Sequence, residues 1–101
     1  MAILERQVQH VYADKWVELE AIDKEFSVVE AKHGYPPKKR YQMISGPDEI
    51  GTLIVERQWA SFAAMEEANE KFNADPEIQT MTQRVNVIVR DIRLELYATM
   101  P

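Results

Sequence analysis

The apolar positions of this chain change period several times, and each change marks an element. From Ile3 to Tyr12 they alternate, which predicts a strand. Trp16, Leu19, Ile22, Phe26 and Val29 then recur at three- and four-residue steps, the stripe of a helix, with Asp14 placed to cap it. The run "HGYPP" ends that helix. Gly34 suits the left-handed residue after the last turn, and Pro36 and Pro37 cannot continue it. "KRYQMI" predicts a short second strand and "SGPDEIG" a turn. Alternation returns from Thr52 to Trp59, and Ser61 then caps a helix reaching about Asn73. In "ADPE", Asp75 caps and Pro76 fits the first position of a short helix through about Arg84. Arg90 to Thr99 alternates as a last strand, with Asn86 to Val89 belonging to it or to the approach.

The order is β-α-β-β-α-β, and right-handed crossovers place the helices on one side of a four-stranded antiparallel sheet. The expected class is α+β, ferredoxin-like, as a single domain over residues 1–101. Beyond the echo of one half in the other there is no repeat, linker or low-complexity stretch. Leu53, Val55, Trp59, Ile92, Leu94, Leu96, Tyr41 and Met43 are expected on the side under the helices. The opposite side is expected to carry Glu56, Gln58, Asp91, Arg93, Glu95, Tyr97, Arg40 and Gln42. That second face mixes both signs of charge with apolar stems. It is either solvated or packed against its own copy in a homodimer.

The stretch "VERQWASFAAMEEANEKFNADPEIQTM" ends a strand at Trp59, opens a helix at Ser61 and breaks at "DPE" before a short helix. With the element order and length, it resembles the dimeric α/β-barrel proteins, particularly their NIPSNAP-like branch. The resemblance implies two sheets closing into a barrel across a two-fold axis, and ligands held between a subunit's sheet and its helices. Relatives of this kind include cofactor-free monooxygenases, haem-degrading enzymes, muconolactone-type isomerases and proteins without known activity, so the resemblance selects no one reaction. The asparagine–tryptophan–histidine set of the haem-degrading relatives has no counterpart here.

Arg57 is the residue that asks for an explanation, because it shares strand parity with Leu53, Val55 and Trp59. A desolvated guanidinium needs a partner. Leu4, Val8 and Tyr12 share parity with Arg6 and His10, so Arg6, His10 and Arg57 are expected to converge near a cavity walled by Trp59, Tyr12, Tyr41 and Trp16. Two arginines with aromatic walls suit a small anionic or aromatic ligand, and His10 on a rigid strand is the candidate general base. The plainer alternative pairs Arg57 with a helix glutamate such as Glu18, Glu25 or Glu66. Ile3 and Val11 lie on the other parity of the first strand, and a bulge would exchange its faces, turning Arg6 into a barrel-interior charge. His33 sits in the last turn of the first helix, where the dipole favours a cation.

Composition narrows the classes. With no cysteine, disulfides and thiol chemistry are excluded, and two histidines without acidic spacing make no zinc site, so no metal or cofactor is expected. A net charge of −5 argues against nucleic acid, which needs a concentrated basic surface. No apolar run approaches the ~20 residues of a membrane span, and Glu5 and Arg6 interrupt any leader-like segment, so a cytoplasmic location is expected. Two functions stand side by side: a homodimeric small-molecule binding protein, or a cofactor-independent monooxygenase or isomerase, against a non-catalytic dimeric interaction module.

Overall fold

The computed structural model describes residues 1–101. Its elements are β1 (Ile3–Val11), α1 (Trp16–Lys32), β2 (Lys38–Gln42), β3 (Leu53–Trp59), α2 (Phe62–Asn73), α3 (Pro76–Val85) and β4 (Val89–Ala98). The strands form one antiparallel sheet in the order β2-β3-β1-β4, the ferredoxin-like arrangement.

Local chemistry sets most boundaries. Ser61 accepts the amide of Ala64 at 3.1 Å, and Asp75 accepts that of Glu77 at 3.0 Å with Pro76 in the first helical position. Gly34 takes a φ of 84°, the left-handed residue that lets the chain leave α1. The start of α1 differs from expectation. Lys15 is the cap residue and no side chain bonds there; Asp14 lies one position too early. The second strand stops at Gln42, and Val89 belongs to β4.

Register decides the faces. Ile3, Glu5, Gln7 and Gln9 of β1 stand beside Trp59, Arg57, Val55 and Leu53 of β3, and Lys38, Arg40 and Gln42 continue those rows on β2. Leu96, Leu94 and Ile92 extend them on β4, but on this edge strand the helices do not cover them as expected, and they are 40%, 58% and 50% exposed. Leu53 and Val55 pack with Leu19 and Ile22 of α1 and with Ile88 and Val89, so this is the side under the helices. A second cluster joins Ile3 and Trp59 to Met65 and Ala68 of α2, and a third joins Val29 to Ile78 and Met81 of α3.

Part of the expected face assignment is therefore reversed. Leu4, Arg6, Val8 and His10 lie on the open side in the rows of Gln58, Glu56 and Ile54, and Tyr41 joins them beside Ile54. Met43 faces the same side, lining a hollow with Arg6 and Val8. Arg40 and Gln42 take the helix side instead. The reason is physical. Three polar residues of β1, namely Glu5, Gln7 and Gln9, find partners beneath the helices, while Val8 is 2% exposed on the nominally open side.

Candidate functional site

Between sheet and helices lies a cavity of ≈ 210 Å³. Its floor is Gln7, Gln9, Val55 and Arg57; its roof is Leu19, Ile22 and Phe26 of α1, with Phe72 and Val85 beyond. One end is polar and closed by a chain of bonds. Gln9 donates its amide to Gln7 Oε1 at 2.9 Å, Gln7 donates to Glu5 Oε2 at 3.2 Å, and Trp59 Nε1 donates to Glu5 Oε1 at 2.9 Å.

Arg57 closes this end from the β3 side. Its residue exposure is 4%, and the guanidinium is surrounded. Nη2 meets Glu30 Oε1 at 2.6 Å, Nη1 faces Glu5 Oε2 at 3.8 Å, and Nε donates to the Pro36 carbonyl at 3.2 Å. The Tyr35 ring lies against its flat face at 4.9 Å, a cation–π contact. Lys38 bridges Glu30 at 3.1 Å and Asp23 at 2.8 Å. The charges beside the cavity are thus paired among themselves. Burial pushes the Tyr35 hydroxyl up to about 12, with the Glu5 carboxylate adding to the shift, so it stays a neutral phenol that donates to Asn69.

The structure separates the residues that sequence reasoning brought together. Arg57 and Trp59 are on the helix side as expected. Arg6, His10 and Tyr41 are on the opposite side of the sheet, because the register puts the even residues of β1 there. Arg6 donates to Glu56 at 2.8 Å, lies 3.6 Å from Glu95 and sits over the Tyr97 ring, on the open face where the alternative parity of the first strand puts it. His10 is held between Asp91 and Asp48 and reaches no group of the cavity. Tyr12 and Trp16 line a different hollow at the end of the sheet, where β1 turns into α1. The converging Arg6–His10–Arg57 site does not form.

The polar residues that line the cavity are Gln7, Gln9, Glu30, Tyr35 and Lys38, with Glu5 behind them bonded to Gln7 and Trp59. Their polarity disguises them as surface positions. One signal was present in the sequence. Arg57 needs a carboxylate, and placing Ile3 and Val11 inward puts Glu5 beside it.

Comparison of the backbone with solved structures settles the fold. A NIPSNAP family protein from Agrobacterium tumefaciens superposes with a TM-score of 0.80, covering 99% of this chain and 94% of that one at 19% identity. An uncharacterized NIPSNAP domain protein from Burkholderia xenovorans gives 0.81, with 97% and 94% covered at 16% identity. The chain has the ferredoxin-like fold of these NIPSNAP proteins. The fold is also shared with SnoaB, a cofactor-independent oxygenase from Streptomyces nogalater, at a TM-score of 0.73, 12% identity and coverage of 99% and 94%. No protein-family signature and no curated protein sequence matches the chain.

Proposed function

We propose that the protein binds a small aromatic molecule, neutral rather than anionic, in the cavity between its sheet and its helices. The observation that carries this is the cavity's mixed lining. Phe26, Phe72, Ile22 and Val85 offer an apolar slot, and the Gln7 and Gln9 amides offer directional polar contacts at one side. The volume of ≈ 210 Å³ exceeds the ~150 Å³ that accommodates benzene in an engineered core, so a single substituted ring is the expected scale. A carboxylate ligand would need a cation with bonds to spare. Arg57 and Lys38 have theirs committed to Glu5, Glu30 and Asp23.

A cofactor-independent oxygenation, the activity named for SnoaB, is compatible with such a slot, and so is an isomerisation. In this chain the proton acceptor bordering the cavity would be Glu30 or Asp23. His10 takes no part in that chemistry, since the sheet lies between it and the slot. Pairing of the Arg57 guanidinium with Glu30 and Glu5 favours a second reading, the non-catalytic interaction module, in which the charges serve only the fold. The cavity itself favours binding.

A thermal-shift panel separates the two. Neutral phenols and benzamides should raise the melting temperature where benzoates do not, and Gln9→Leu should weaken the preferred ligand about tenfold, the worth of one hydrogen-bonded contact. If no neutral or charged aromatic stabilises the protein at millimolar concentration, the interaction module stands instead. The reading also includes a homodimer that packs open sheet faces together, for which the alternating Arg6, Glu56, Glu95 and Arg93 charges supply both signs.

A further inference from the structure

The connection between β2 and β3, residues 43–52, does not stay beside its own hairpin. Asp48 meets Arg93 of β4 through two bonds of 3.2 and 3.0 Å and faces His10 Nε2 of β1 at 3.3 Å. Glu49 meets Arg90 of β4 at 3.1 Å. Since β4 is two strands beyond β3, the connection reaches roughly 10 Å across the open face. Pro47 and Asp48 come down over Val8, the apolar residue buried there.

Little apolar packing holds this strap. Ile44 and Ile50 are each 85% exposed. Hollows of ≈ 330 and ≈ 430 Å³ flank it, one lined by Tyr12, Trp16 and Ile50, the other by Val8, Met43 and Tyr97. Its root is a set of backbone bonds: Met43 to Thr52, Gly51 to Met43, and Thr52 to Glu49. Its tip depends on charge.

That charge is balanced by one titratable ring. His10 Nδ1 bonds Asp91 and Nε2 faces Asp48, and an ionised carboxylate only accepts, so both contacts are made only when both ring nitrogens carry protons. Around His10 stand Asp91, Arg90 and Arg93 from β4, and Asp48 and Glu49 from the strap, with Glu95 sharing Arg93 and Arg6. Asp48, Glu49 and Asp91 against Arg90 and Arg93 leave one negative charge, which the imidazolium cancels. The geometry points to a pH-sensitive clasp: protonated His10 adds to the Arg93 and Arg90 bonds in holding the strap down on the open face, and loss of that proton turns a lone pair toward a carboxylate and loosens the tip.

The carboxylates agree in sign. Arg93 first and His10 next hold Asp48 below the usual carboxylate range, and His10 first and Arg90 next do the same for Asp91. The strap is therefore closed while both nitrogens of the His10 ring carry protons and loosens as pH rises and one of them is lost. If the homodimer reading above holds, opening the strap changes the face that the second copy uses, because the strap occupies one end of it.

Hydrogen exchange of residues 43–52, normalised to intrinsic rates, tests the clasp at about pH 5 and about pH 8. Protection in the native protein should fall several-fold at the higher pH, and His10→Gln should be equally unprotected at both. Asp48→Asn, which removes the strap's charged anchor, should expose it even at the lower pH. Native protection that ignores pH, or a His10→Gln protein that keeps the native response, overturns the clasp. Should His10→Gln fail to fold, native-like protection in Asp48→Asn at the lower pH does so too. Light scattering on the same samples keeps the two ideas apart. A responsive strap on a monomer sinks the dimer alone, and an unresponsive strap on a dimer sinks the clasp alone.

Discussion

Arg57 shows how one side chain ties fold and site together. Its guanidinium meets Glu30, faces Glu5, bonds the Pro36 carbonyl and lies against Tyr35, so it fastens β3 to α1 and to the loop after it. Removing it leaves two carboxylates facing each other with little water, a loss of about 3–5 kcal/mol for a broken buried pair. Arg57→Met should therefore lower the urea midpoint strongly, and the double change with Glu30→Gln should recover part of the loss. Additive losses would show that the pair is not coupled. Need for a partner was legible in the sequence from the parity of Arg57 with Leu53 and Val55. Its identity was not. The helix glutamates considered, Glu18, Glu25 and Glu66, point elsewhere, and Glu5 was masked by a strand with apolar residues on both parities. Leu4 and Val8 argued one way and Ile3 and Val11 the other; register with Arg57 and Trp59 decides it.

At the scale of elements, period located β1, α1, β3, α2 and β4, because each amphipathic run must bury one stripe, while turn and cap residues placed β2 and α3. Caps set boundaries where a side chain closes the first turn, as at Ser61 and Asp75, and missed where none does, as before Trp16. Ser61→Ala should cost about 1 kcal/mol by chemical denaturation, the usual worth of such a cap. Asp75 couples α3 to the end of α1. The His33 ring bonds its carboxylate at 2.8 Å and, with the Glu77 amide and then Lys32, holds it below the ordinary carboxylate range. A depressed carboxylate contributes stability above its unfolded value and loses it as pH falls through its folded one. Asp75→Asn keeps an acceptor for Glu77 but not the charge. Its urea midpoint should fall less than the native protein's as pH drops through the carboxylate range. Parallel curves would show that the His33–Asp75 contact carries no linkage.

For the whole molecule, the sheet divides the chemistry. The helix side holds a small cavity with a self-paired charge network, and the open side holds alternating charges partly covered by the 43–52 strap. Light scattering at micromolar concentration should give twice the chain mass if open faces meet across a two-fold axis, and the mass of one chain if they do not. Sequence periodicity could define both faces but not which residues of β1 and β2 belonged to each. For that reason the cavity's position was anticipated and its lining was not. The most direct measurement is NMR mapping of the side-chain amides of Gln7 and Gln9 during titration with phenol and, separately, benzoate. Phenol should shift both amides, together with the rings of Phe26 and Phe72, while benzoate leaves them in place. Shifts confined to the open face, or no shift with either compound, would contradict a ligand site between sheet and helices.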